Sequence, residues 1–93
     1  MLGHRFCALT HFGRRSGRRY TTVLEVLRYR PDSREVAVLS GFGRRSEWLR
    51  NIEAGPAVRV QVGRESFPPE HRVLPPAEAA AVLADYEDRN RFI

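Results

Sequence analysis

The chain has 93 residues, 42% of them hydrophobic, and a formal net charge of +5 that rests on sixteen arginines and no lysine. This composition predicts one small packed domain and excludes a disordered chain, while the short apolar runs exclude a transmembrane helix. A single cysteine, Cys7, cannot form an internal disulfide, which indicates a reducing, cytoplasmic setting. The positive charge favours an anionic ligand, whether nucleic acid, an acidic membrane or a polyanionic small molecule.

The first half of the chain alternates strand patterns with turns. Residues 4–12 alternate as a strand does, and the polar segment 13–19 then turns the chain. Residues 20–30 are rich in β-branched and aromatic residues and are apolar on both faces, which predicts a long strand buried on both sides, as in a barrel. A turn at 31–33 leads to a short returning strand at 36–39.

The second half begins with a helix. Ser46 is a suitable N-cap for a helix over residues 47–54. Residues 58–62 alternate valine with other residues, the clearest strand pattern in the chain, and a further strand is predicted over 66–74, at an edge or with a bulge because it contains two prolines. A proline pair opens a last helix at residue 75. The order β-β-β-α-β-β-α, with hairpin-length connections, predicts a small antiparallel α+β barrel.

Few groups in the sequence are suited to catalysis. The histidines His4, His11 and His71 are scattered and lack metal-ligand spacing, so no metal site is predicted. Cys7 lies within a strand, where a small core residue is the usual interpretation. Glu25, an acid in an apolar strand, is expected to pair with a nearby arginine. We therefore assign no catalytic residue from the sequence.

The tetrapeptide Gly-Arg-Arg-Ser occurs twice, at residues 13–16 and 43–46. In the first copy the flanking glycines would let backbone N–H groups converge on an anion, to which the Ser16 hydroxyl adds a donor. Arg14 and Arg15 can each bind a phosphate or carboxylate in bidentate fashion. In the second copy a strand ends in glycines and a helix begins, which places free N–H groups beside arginines. Both loops are therefore candidate anion sites.

The same residues carry a resemblance to a known family. The segment Gly13-Arg14-Arg15-Ser16-Gly17 with Tyr20-Thr21-Thr22-Val23-Leu24 resembles the family's first motif, and Ser40-Gly41-Phe42-Gly43, Trp48, Asn51 and the strand at 56–62 resemble its second. The family is the deazaflavin-dependent nitroreductase and quinone reductase family of split β-barrel oxidoreductases. The resemblance covers about residues 8–90 in order. Tyr20 stands where the family usually has arginine, and Val23 where it has proline.

The resemblance implies a fold, a cofactor and a reaction. The fold would be an α+β split barrel. The cofactor would be coenzyme F(420), an 8-hydroxy-5-deazaflavin with a phosphate and an oligoglutamate tail, with FMN as the alternative. The reaction would be hydride transfer from the reduced coenzyme to a small-molecule acceptor, namely a quinone, a nitro compound or an activated alkene. Because the cofactor carries this chemistry, the chain needs no acid or base of its own.

The resemblance also implies the site residues. The phosphate or tail would be held by Arg14 and Arg15, with Ser16 as a further donor; the deazaflavin would be lined by Thr22, Ser40, Gly41 and Gly43, with Trp48 and Asn51 behind the loop. Tyr86 falls near the substrate region of the family, and a core tyrosine on the last helix is the alternative interpretation.

The resemblance bears on domain organisation as well. We expect a single split-barrel domain over residues 1–93, shortened at both ends relative to the family, whose N-terminal segment and closing C-terminal strand have no counterpart here. A barrel short of a strand leaves an open edge, which a second subunit in a homodimer would cover. The alternative function is a small basic β-barrel that binds single-stranded nucleic acid, since Tyr20 and Phe42 lie near arginines. It is disfavoured because the arginines lie in tight loops.

Overall fold

The structure is a computed structural model that describes residues 5–40 and 46–90. Its elements follow the predicted order: β1 (Phe6–Phe12), β2 (Arg19–Arg30), β3 (Glu35–Val38), α1 (Glu47–Ala54), β4 (Arg59–Val62), β5 (Glu65–Phe67) and α2 (Pro76–Asn90). The predicted α+β class is confirmed. In the described part of the chain, neither helix is long and apolar enough to cross a membrane.

The five strands form one antiparallel sheet in the order β3-β2-β1-β4-β5. The central strand, β1, pairs with β2 along its whole length, beginning with Phe6 opposite Glu25. On its other side β1 pairs with β4, beginning with Cys7 opposite Val62. Because α1 lies between β3 and β4 in the chain, it carries the backbone from one edge of the sheet to the far side of β1.

The sheet curls into a half-barrel, which confirms the split-barrel architecture. Strands β3 and β5 are its opposite edges. Nevertheless, the guanidinium of Arg34, in the turn before β3, lies 5.8 Å from the ring centroid of Phe67 in β5. This cation–π contact is possible only because curvature brings the two edges together at one end of the sheet.

One face of the curled sheet is apolar and forms the core. The buried cluster consists of Cys7, Leu9, Leu24, Val26, Leu49, Ile52, Val60 and Val62. Odd-numbered residues of β1 and even-numbered residues of β2 and β4 point to this concave face, as strand alternation requires. Helix α1 covers the face with Leu49 and Ile52. The convex face leaves Phe6 and Phe12 exposed.

The prediction that β2 is buried on both sides was wrong. Val23 is 57% exposed on the convex face, whereas its neighbour Leu24 is buried. Farther along, the register of β2 against β3 shifts between Val26 and Arg28. This bulge lets two consecutive residues, Val26 and Leu27, both be buried. The apolar run therefore reflects a local irregularity of the strand and not two covered faces.

The prediction of a strand over residues 66–74 was also wrong in extent. β5 ends at Phe67 because Pro68 and Pro69 follow, and proline has no N–H group with which to continue the ladder. The next residues form an extended connection, which we call the strap (residues 68–74). The strap leads from β5 to α2, which lies near β2, a strand separated from β5 by β1 and β4.

Helix α1 has the predicted bounds, but its N-terminus differs in detail. Ser46 occupies the N-cap position without a side-chain capping bond. Its hydroxyl is instead hydrogen-bonded to the hydroxyl of Ser40, the residue that follows Leu39 after β3. The helix ends before Gly55, whose N–H donates to the carbonyl of Asn51 at 3.1 Å. Gly55 itself is extended, with a φ of −160°.

Candidate functional site

The first Gly-Arg-Arg-Ser copy forms the turn between β1 and β2, which we call the arginine loop (residues 13–18). The N–H of Gly17 donates to the carbonyl of Gly13 at 2.9 Å, and the N–H of Arg18 donates to Ser16 Oγ at 3.2 Å. Gly17 has a φ of +70°, which favours glycine. A Cβ atom on Gly13 would lie 2.7 Å from Ser16 Oγ. The shape of the loop therefore requires Gly17, whereas a side chain at Gly13 would displace the Ser16 hydroxyl.

Arg14 attaches the arginine loop to helix α1. Its backbone N–H and its guanidinium Nη1 both donate to Asn51 Oδ1, at 3.1 Å and 2.8 Å. The same Nη1 lies 3.0 Å from Glu47 Oε1. The side chain of Arg14 is only 19% exposed, whereas that of Glu47 is 72% exposed. Because solvent screens the salt bridge to Glu47, the contact with Asn51 is the stronger attachment.

Asn51 continues the contacts into the sheet through a buried histidine. Its Nδ2 lies 3.2 Å from Nδ1 of His11, and Nε2 of His11 lies 2.9 Å from Thr22 Oγ1. Asn51 is 7% exposed and His11 only 3%. The ring of Tyr20 stacks on His11 with centroids 5.9 Å apart. We call the residues Thr22, His11, Asn51 and Arg14 the polar network.

The donors and acceptors of the polar network determine the tautomer of His11. Asn51 Oδ1 must accept from Arg14, so Asn51 Nδ2 faces His11 and can only donate. Nδ1 of His11 is therefore the acceptor, and the proton resides on Nε2, from which it is donated to Thr22 Oγ1. Burial lowers the pKa of His11, which favours this neutral form.

Other arginines around the loop face solvent. Arg15, Arg18 and Arg19 are exposed. Among the described residues no carboxylate forms a salt bridge with any of them. Three unpaired guanidinium groups within a few residues make a cationic surface that a phosphate or carboxylate could bind.

A cavity of about 860 Å³ lies on the concave side of the sheet. Its walls are mostly apolar residues of the strands and of α1, and the strap contributes all seven of its residues. Ser40 and Trp48 line it as well. The volume falls in the range of about 300–1,000 Å³ that is usual for small-molecule sites.

Helix α1 separates the cavity from the arginine loop. Trp48 and Ile52 line the cavity, whereas Glu47 and Asn51 contact Arg14 on the loop side. Each pair is spaced by four residues and so forms one stripe of the helix. In a ligand with an apolar ring and an anionic chain, the ring would therefore contact the cavity side of α1, and the chain would lie on the side that faces the arginine loop.

The structure divides the predicted site residues between these two regions. The polar network contains Arg14, Asn51 and Thr22; the exposed surface of the loop contains Arg15 and Ser16; the cavity wall contains Ser40 and Trp48. Tyr86 is half-buried on α2 and is not among the residues that line the cavity. Gly41 and Gly43, together with the rest of residues 41–45, lie outside the described residues.

Sequence reasoning missed His11 as a member of the site. The alternation of residues 4–12 places His11 on one strand face with Cys7 and Leu9, but beyond a rejected metal site it was given no role. The described residues contain no cluster that could hold a metal ion. A usable signal was nevertheless present. Cys7 and Leu9 alternate with His11 along β1, so a strand that buries the first two must also turn His11 inward.

Comparison with known proteins gives a family match and several similar solved structures. The family model for F(420)H(2)-dependent quinone reductase matches residues 1–91. A solved structure described as a "domain-swapped dimer" superimposes with a TM-score of 0.61 at 18% identity, covering 97% of this chain and 68% of that one. A second, described as "Structure of F(420)-H(2) Dependent Reductase (FDR-A)", has a TM-score of 0.57 at 18% identity, covering 97% and 89%. No curated protein matches.

Proposed function

Because the chain belongs to the F(420)H(2)-dependent quinone reductase family, we propose that it transfers a hydride from the reduced deazaflavin to a quinone. The family consists of oxidoreductases that depend on this coenzyme. The assignment of the residues that hold the coenzyme rests on the cavity and the arginine loop.

One observation carries the assignment of residues: the site has an apolar part and a cationic part, as the coenzyme has a ring and an anionic chain. The cavity, with Ser40 and Trp48 in its wall, would accept the ring. Arg15 and Arg18 on the exposed loop would bind the phosphate and tail carboxylates. The residues present therefore fit the coenzyme.

The role of the chain in the reaction is to bind, orient and exclude water. The coenzyme, when bound, supplies the hydride chemistry. The cavity wall is mostly apolar, which would limit the access of water to the reacting face. Arg14 contributes indirectly, since its hydrogen bonds to Asn51 hold the loop that carries the free arginines. No proton-transfer residue is required of the described part.

Titration of the protein into oxidised coenzyme F(420), followed by deazaflavin fluorescence, tests this proposal. Exposed charge pairs contribute little each, so R15Q and R18Q should weaken binding about two- to five-fold each. R64Q is the matched control, because Arg64 is an exposed arginine in the turn between β4 and β5. An unchanged fluorescence at saturating protein would refute the proposal. Binding of FMN, or of a single-stranded oligonucleotide, in its place would favour the corresponding alternative.

The acceptor is tested separately under steady-state conditions. A naphthoquinone, a nitroaromatic compound and an α,β-unsaturated ketone are compared at equal concentration with the reduced coenzyme. We expect the highest kcat/KM for the quinone. A higher value for either other acceptor would reassign the substrate class without affecting the coenzyme.

We further propose that the chain forms a homodimer. In the described sheet β3 and β5 are edge strands, and unpaired edges favour association. A protein of similar fold is described as a domain-swapped dimer. Light scattering coupled to gel filtration would give the mass directly, and a monomer mass at micromolar concentration would contradict the proposal.

A further inference from the structure

His11 is a buried imidazole whose two nitrogens are both engaged in hydrogen bonds. Nε2 is bonded to Thr22 Oγ1 and Nδ1 to Asn51 Nδ2. It is 3% exposed and does not line the cavity. A ring without a free nitrogen cannot donate a proton to a ligand, so its contribution must pass through its partners.

The partner that matters is Asn51, because Asn51 holds the arginine loop. Arg14 presents two donors to Asn51 Oδ1, one from its backbone and one from its guanidinium. Asn51 Nδ2 then points into the protein, where it needs an acceptor. Nδ1 of His11 is that acceptor, at 3.2 Å. Without it, the buried amide nitrogen would be unsatisfied, and side-chain rotamers that reach water would compete with the one that holds Arg14.

We propose that His11 is a positioning residue for the arginine loop: by accepting from Asn51 it fixes the amide that holds Arg14, and so the arrangement of the free arginines beside it. The two ends of this chain of contacts lie on different elements, with His11 in β1 and Asn51 in α1, forty residues apart in sequence. The consequence for coenzyme affinity rests on the proposed function, whereas the attachment of the loop does not.

Two substitutions of nearly equal shape separate the acceptor from the volume. In H11N the Oδ1 atom can still accept from Asn51, whereas H11L offers only methyl groups in the same place. Hydrogen exchange of the Arg14 amide, which donates to Asn51 Oδ1, is the readout without ligand. We expect the exchange protection of this amide to fall about tenfold in H11L, because a tenfold change corresponds to the loss of about one buried hydrogen bond. In H11N, which keeps an acceptor, it should fall less than about threefold. Equal protection in H11L and wild type would overturn the proposal.

A second measurement starts from the wild-type protein, so its first result does not require a folded variant. The ¹⁵N shifts of the imidazole in the wild-type protein should show Nδ1 bare and Nε2 protonated near neutral pH. A protonated Nδ1 would remove the acceptor that the proposal requires. In N51D, a carboxylate would replace the donor facing His11, and the ¹⁵N titration of His11 should move to higher pH. An unmoved titration would show that the two side chains are not in contact.

The coenzyme titration then distinguishes this proposal from the proposed function. If wild type binds F(420), we expect H11L to bind about five- to tenfold more weakly and H11N to lie between the two. If wild type does not bind, the proposed function fails, and amide exchange and ¹⁵N shifts still decide the role of His11. If H11L loses protection but binds as tightly as wild type, His11 holds the loop as proposed, and the inference that the held loop raises coenzyme affinity is refuted.

Discussion

Replacement of Asn51 by leucine tests the polar network as a whole. Leucine has nearly the same shape as asparagine but neither donates nor accepts a hydrogen bond. The substitution removes three contacts, two from Arg14 and one to His11. Because Asn51 is only 7% exposed, water cannot replace all of them. We therefore expect N51L to fold with a much reduced free energy of unfolding.

The magnitude follows from the groups left without partners. The guanidinium of Arg14 keeps its contact with Glu47 and is partly exposed. The partly buried backbone N–H of Arg14 and the buried Nδ1 of His11 lose their partners, and each unsatisfied group costs about 1–3 kcal/mol when water cannot reach it. The total of roughly 2–6 kcal/mol is a large share of the about 5–15 kcal/mol that stabilises a small domain. In thermal unfolding this corresponds to a fall in Tm of about 10 °C or more.

Urea unfolding followed by circular dichroism, with N51D as the control, makes the test specific. N51D keeps an oxygen for the donors of Arg14 and loses only the donor to His11, so it should be less destabilised than N51L. A free energy of unfolding for N51L within about 0.5 kcal/mol of wild type would refute the reasoning, because it would show that water satisfies the network.

Three further predictions concern the loop glycines, the histidine and the cysteine. G17A should destabilise the protein by about 1–2 kcal/mol in urea unfolding because of the positive φ, whereas G55A, at an extended position, should be neutral or slightly stabilising; equal effects would contradict this. Burial lowers the pKa of His11 from 6.5, so on acidification the unfolded chain binds the proton at a higher pH than the folded chain does. The part of the free energy of unfolding that depends on neutral His11 is therefore complete above about pH 6.5 and is lost below it. Acid unfolding of H11N should lack this component. Burial raises the pKa of Cys7 to about 11, so a disulfide reagent at pH 8 should modify the native thiol only as fast as the protein opens, and immediate reaction would refute its burial.

The order of elements could be predicted because most segments carry a clear local signal. The helix at Glu47–Ala54 and the alternation along β4 were read correctly from periodicity and stop signals alone. The errors arose where tertiary structure decides. The run Val26-Leu27 owes its burial to a bulge against β3, and the bulge depends on a pairing that the sequence of β2 does not contain.

The candidate site was predictable in its loop and less so in its contacts. The motif around Arg14 lies in a turn, as predicted, but the N–H groups of Gly13 and Gly17 donate to backbone carbonyls of the loop itself. The direction of the Arg14 side chain was not predictable, because it depends on Asn51, which lies 37 residues away in sequence. For the same reason the hydroxyl of Ser46 was expected to cap α1, although Ser40 lies near enough to bind it instead.

The central place of β1 has a consequence for how this chain folds. The ladder between β1 and β2 closes a short turn and can form early, as can the hairpin of β4 and β5. The ladder between β1 and β4 joins these two hairpins across about fifty residues, so closing it requires most of the chain to be ordered at once. We expect this seam to limit the folding rate. Truncation of Val60, on the β4 side of the seam, would slow refolding if the ladder is formed in the transition state, and would only accelerate unfolding if the ladder forms later.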